Sequence, residues 1–102
     1  MSRYVVAAQA RRDILDIIAF IAADNPVAAS RLRERLAVAF GQLADQPLLG
    51  HVRDDLVSRS LGVRFWPVGT YLVVYRVRSP SIEVARVLSG RRDISAVLNR
   101  GR

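Results

Sequence analysis

Two stretches of the chain repeat their apolar residues at helical spacing, one directly after the other. Ala10, Ile14, Ile17, Ile18 and Ile21 share one face while Arg11, Arg12, Asp13 and Asp16 fall mostly on others, which predicts an amphipathic helix over residues 10–23. No strong capping residue precedes it, and Asp13 is expected in its first turn, where a carboxylate favours the helix dipole. Asn25 and Pro26 then punctuate, as an N-cap and a first helical residue that needs no N–H. Ala29, Leu32, Leu36, Ala39, Phe40 and Leu43 form a second stripe over residues 26–44, with Arg31, Arg33, Glu34 and Arg35 mostly facing out. So short a connection between two helices implies an antiparallel hairpin.

Elsewhere the pattern is that of strands. Tyr4-Val5-Val6, within residues 3–8, reads as a short first strand, and Val63 to Trp66 as another, closed by a turn at Pro67-Val68-Gly69-Thr70. From Tyr71 the β-rich run Tyr-Leu-Val-Val-Tyr-Arg-Val-Arg meets Ser79-Pro80-Ser81, where proline marks a reversal, and Ile82 begins the returning strand. Residues 47–60 have no clean period and form a loop with room for one helical turn. Asp93 is placed to cap a short terminal helix carrying Ile94, Val97 and Leu98, and residues 100–102 are expected to fray. The prediction is an α+β fold, β-α-α-β-β-β with a final helix, in which the helical hairpin packs on one face of a small, mainly antiparallel sheet joined by the first strand. Ile14, Ile18, Ile21, Leu32, Leu36 and Phe40 should rest on Val73, Val84 and Val87.

Length and composition narrow the picture. A chain of 102 residues suits one domain with room for one core and one or two sites. With no cysteine and one histidine, disulfide frameworks, thiolate zinc sites and histidine clusters are excluded, and neither metal nor cofactor is expected. No signal-like or membrane-length apolar run occurs, so the expected setting is cytoplasmic.

The net charge of +7 is unevenly placed: residues 1–50 carry six arginines against five acids, residues 51–102 ten against four. Arg76, Arg78, Arg86, Arg91 and Arg92 give the hairpin a cationic rim suited to phosphates or carboxylates, so an acidic protein or a nucleic acid is the expected class of partner. His51, Asp54 and Asp55 share one loop and read as exposed, solvated residues rather than as an acid–base or metal site.

Several motifs, in order, resemble the ParE branch of the RelE/ParE toxin superfamily. They are the opening strand with Ala10-Arg11-Arg12-Asp13-Ile14, the Asp24-Asn25-Pro26 break, Leu43-Ala44 running to Pro47 and Gly50, Tyr71 to Arg76, and Val87-Leu-Ser-Gly-Arg-Arg-Asp93. The resemblance implies the toxin of a bacterial type II toxin–antitoxin module, held in a hetero-oligomer by a small antitoxin with an acidic C-terminal segment that folds along the helical hairpin and the sheet edge. Arg31, Arg35, Arg76 and Arg78 are the expected antitoxin contacts.

The superfamily contains RelE-like toxins that cleave mRNA on the ribosome and ParE-like toxins that poison DNA gyrase. Cleavage through a 2′-hydroxyl needs a base, an acid and cations for the phosphate. Arg64, Arg86 and Tyr75 are the candidates if RNA is the target, but Ser89 stands where many relatives have histidine, and Tyr71, Tyr75 and Glu83 read better as sheet residues. Gyrase is therefore the favoured target. The ParE resemblance points to the segment from Ser89 to Asn99, with Arg91, Arg92, Ile94 and Leu98 as target contacts. A non-toxic module that only binds antitoxin is the third reading.

Overall fold

The computed structural model describes residues 4–91 and 93–99. Strand β1 (Tyr4–Val6) leads into helices α1 (Ala8–Asp24) and α2 (Pro26–Asp45), and strands β2 (Arg64–Val68), β3 (Tyr71–Arg78) and β4 (Ser81–Ser89) follow, then α3 (Ile94–Asn99). The sheet order is β1-β4-β3-β2; β1 runs parallel to β4, and the other pairs are antiparallel. This is the predicted α+β arrangement. Asn25 separates the helices as its chemistry requires, its side chain accepting the Ala28 N–H at 3.0 Å while Pro26 opens α2.

The helical hairpin covers one face of the sheet. Ile18, Leu32, Leu36, Phe40 and Leu43 join Val73, Tyr75, Ile82, Val84 and Val87 in one core, with Ile14 and Ile21 packed at its margin. Tyr4 meets Phe40 edge-on, ring centroids 5.4 Å apart, and so ties the first strand to α2. Ala85 has no partner in the β3–β4 register, so β4 carries a bulge there. The extra residue keeps both Val84 and Val87 on the helix side.

The opposite face is covered too, which the sequence pattern did not announce. Val57 and Val63 from the long loop and Ile94 from α3 are buried against Phe65, Val74 and Leu88, with Leu56, Leu61, Val97 and Leu98 at the margin. A one-turn 3-10 helix, Arg59–Leu61, ends that loop. Asp93 caps α3 as expected, accepting the Ala96 N–H at 3.1 Å.

Two local expectations are corrected. Pro67 belongs to β2 rather than to a turn; β2 is an edge strand, where a missing N–H is tolerated, and the reversal is made by Gly69, with φ of 60°, and Thr70. Asp13 lies beyond the first turn of α1, which holds no acid, and is bound to β4 instead of answering the helix dipole. Residues 1–3 and 100–102, including the tail expected to fray, lie outside the described residues, as does Arg92. Among the described residues no helix is long and apolar enough to cross a membrane.

Candidate functional site

Tyr75, Arg64 and the loop after α2 form one hydrogen-bonded unit. The Tyr75 side chain is fully buried, and its hydroxyl donates to the Pro47 carbonyl at 2.7 Å while accepting the Gly50 N–H at 2.8 Å. Arg64 Nη1 donates to the Gly50 carbonyl at 2.8 Å. Burial pushes the Tyr75 hydroxyl above its ordinary value, with the Gly50 N–H and the Arg64 charge acting the other way. Position 50 must be glycine, because a Cβ there would fall 2.5 Å from the Tyr75 oxygen. The tyrosine and arginine are thus clamps that hold residues 47–50 to the sheet.

Arg86 is committed in the same manner. Its Nε and Nη2 donate to the two Asp13 oxygens at 2.8 and 3.1 Å, and Asp13 also accepts the Val87 N–H at 2.9 Å. Both side chains are largely buried, at 19% and 12% exposure, so the pair staples α1 to β4 beside the bulge. Asp13 was invisible as a functional partner in the sequence: its lack of an apolar role was legible, but its partner lies 73 residues away.

The remaining charged candidates divide between surfaces. Arg31 and Arg35 are exposed on α2, without an ion-pair partner among the described residues; Arg35 borders a groove of about 370 Å³ with Glu34, Val38, Gln42, Trp66 and Pro67. Arg76 and Arg78 instead share Glu83, at 3.6 and 3.5 Å, and Arg76 also donates to the Leu61 carbonyl. Strand alternation puts them on the face away from the helices, so the structure does not bring the four arginines together.

In the C-terminal segment Arg91 is exposed, Ile94 is 5% exposed in the second core and Leu98 is half-buried against it. Ile94 and Leu98 support this segment more than they present it. His51 stacks on Trp66, ring centroids 6.1 Å apart, and bridges to Phe65, while Asp54 and Asp55 are held by Arg59 and Arg53. Among the described residues no group of acids and histidine is placed to hold a metal.

A family model for the ParE toxin of type II toxin–antitoxin systems (parDE) matches residues 4–94. The chain belongs to the ParE toxin family. That match runs from β1 to the first residue of α3, so both helices, the whole sheet and the loop clamped by Tyr75 are family structure. A solved chain from the chromosomal ParDE TA system of P. aeruginosa is similar in fold, with a TM-score of 0.69 and 18% identity over 87% of this chain and 96% of that one. Comparison with curated proteins returned no match.

Proposed function

We propose that this ParE-family toxin inhibits DNA gyrase in the cytoplasm and is neutralised there by a cognate antitoxin with an acidic segment. Family membership supports the toxin–antitoxin setting. The choice of gyrase over mRNA rests on one observation: the three side chains a ribonuclease mechanism would recruit are all committed to the fold. A general acid or base has to reach the proton it moves and be free to exchange it. The Tyr75 hydroxyl is enclosed between Pro47 and Gly50, Arg86 is chelated by Asp13, and Arg64 is turned onto a backbone carbonyl. A gyrase-directed surface needs no such groups. Arg91, exposed on the C-terminal segment, is the proposed target contact, with Arg92 beside it in sequence and Ile94 and Leu98 holding the segment in place.

Inducing the chain without antitoxin tests this. Filamenting cells with double-strand DNA breaks are expected, and Arg91→Glu should relieve them without lowering the amount of folded protein. Loss of translation with transcripts cut inside codons, abolished by Arg64→Ala or Arg86→Ala at preserved folding, would place the chain with the ribonucleases. Healthy cells at high expression would leave the antitoxin-binding module as the reading.

A further inference from the structure

The turn between β2 and β3 gathers two distant parts of the chain around it. Its Gly69, at φ of 60°, lies under the Arg35 guanidinium, where a Cβ on residue 69 would fall 3.3 Å from Arg35 Nη1. Thr70 accepts the Gly90 N–H at 2.7 Å, which carries the Tyr71–Ser89 pairing one residue further, and the Ser89 hydroxyl accepts the Arg91 N–H at 3.3 Å. A Cβ on residue 90 would press on the Thr70 carbonyl oxygen at 3.0 Å, so glycine there lets the segment lie close. Arg35 of α2 and Arg91 of the C-terminal segment therefore flank one turn.

Both side chains are exposed, and neither has an ion-pair partner among the described residues. Among the described arginines of residues 51–102, Arg91 alone has neither a carboxylate nor a carbonyl to hold. The nearest acid in sequence, Asp93, is turned to the Ala96 N–H. Arg35 also borders the groove of about 370 Å³ between α2 and β2, where Val38, Trp66 and Pro67 give an apolar wall and Glu34 is the one acid.

The edge of β2 beside this groove decides what can lie there. His51 and Phe65 exchange both backbone hydrogen bonds at 2.8 Å, so the outward groups of Phe65 are used, and Pro67, which alternation turns the same way, has no N–H. No peptide strand can add along it. A nucleic-acid backbone needs no such ladder: it presents successive phosphates, to which guanidinium forks are matched, and its sugars can rest on an apolar wall. We propose that Arg35 and Arg91 grip the phosphate backbone of the DNA that gyrase holds, so that the toxin seats on the gyrase–DNA complex and not on gyrase alone. The inference rests on the gyrase reading above, and it moves Arg35 from the expected antitoxin contacts to the target surface. Glu34, of the same sign as a phosphate, opposes the grip.

The test titrates the refolded full chain, labelled at its N-terminus, with gyrase, with a duplex DNA fragment, and with gyrase already bound to that fragment. Wild type should bind gyrase–DNA about tenfold or more tighter than either component, the scale of one charge-assisted contact. That gain should shrink as salt is raised, as phosphate contacts do. Arg35→Glu should abolish the gain and Glu34→Gln should increase it, whereas Arg12→Glu, the same charge change at an exposed position of α1, should leave it unchanged. Denaturant unfolding checks that Arg35→Glu still folds, and a gain in Glu34→Gln cannot come from misfolding. Equal binding to gyrase with and without DNA would keep the gyrase reading and overturn the DNA grip. An equal loss in Arg35→Glu with and without DNA would put a gyrase carboxylate on Arg35, and a loss of antitoxin affinity with the DNA gain intact would return Arg35 to the antitoxin; either overturns the proposal. A chain that binds neither gyrase nor gyrase–DNA sinks both readings.

Discussion

The two faces of the sheet are covered by different kinds of structure. On one, helices of 17 and 20 residues lay down continuous apolar stripes and are stapled to β4 by Asp13 and Arg86. On the other, a long irregular loop and a helix of six residues supply the cover, tied by the Arg76 bond to Leu61 and the Asp93 cap. A six-residue helix is far below the length at which helices hold themselves, so α3 exists because Ile94 is packed. The Arg53–Asp55 and Arg59–Asp54 pairs on that side are exposed and add little. Covers with few buried contacts open at lower free energy than a whole domain unfolds. The helix side is therefore expected to set global stability, and the segment proposed to meet gyrase lies on the face expected to open first.

Substitutions on the two faces test that contrast. Phe40→Ala removes a side chain 4% exposed in the helix-side core and should cost about 3–5 kcal/mol in denaturant unfolding. Asp13→Ala leaves Arg86 largely buried without its carboxylate, and about 3 kcal/mol should go with it. Ile94→Ala on the other face should cost about 2 kcal/mol, the lower end for such truncations, because the short helix can collapse onto the gap. An equal loss at Phe40 and Ile94 would erase the distinction between the faces. Without any substitution, amides of α3 should exchange by local opening well before those of α2, and matching rates would make the two covers one cooperative unit.

Smaller effects centre on Tyr75. Tyr75→Phe strips the Gly50 N–H and the Pro47 carbonyl of their partner and should cost about 1–3 kcal/mol while leaving any toxicity in proportion to folded protein. Because burial raises this hydroxyl above its ordinary value of 10.0, the unfolded chain loses the proton first as pH rises. Stability contributed by the neutral phenol is thus intact below about pH 10 and declines above it, and Tyr75→Phe should flatten that part of the decline.

Much of the helix side was legible because its signals are local and periodic. The stripes of α1 and α2 and the Asn25-Pro26 break each follow from residues a few positions apart, and so, on the other face, does the Asp93 cap. What stayed hidden depends on distant or aperiodic chain. Nothing near Asp13 tells of Arg86, nothing in Val84-Ala85-Arg86-Val87 marks a bulge, and Val57 and Val63 sit in a loop whose burial no period declares. Pro67 misled because proline signals a turn unless the strand is known to be an edge. The site candidates followed suit: Arg64, Tyr75 and Arg86 have the chemistry of a phosphate site, and only their hydrogen bonds reveal them as struts.

The most direct measurement mixes the refolded chain with purified gyrase, supercoiled plasmid and ATP, and counts covalent gyrase–DNA cleavage complexes after denaturation. Linear DNA bound to gyrase should accumulate with added wild-type chain, stay high with Tyr75→Phe and fall with Arg91→Glu. No trapped complexes from a preparation that cuts ribosome-bound mRNA, with the cutting lost in Tyr75→Phe at full folding, would contradict the gyrase reading.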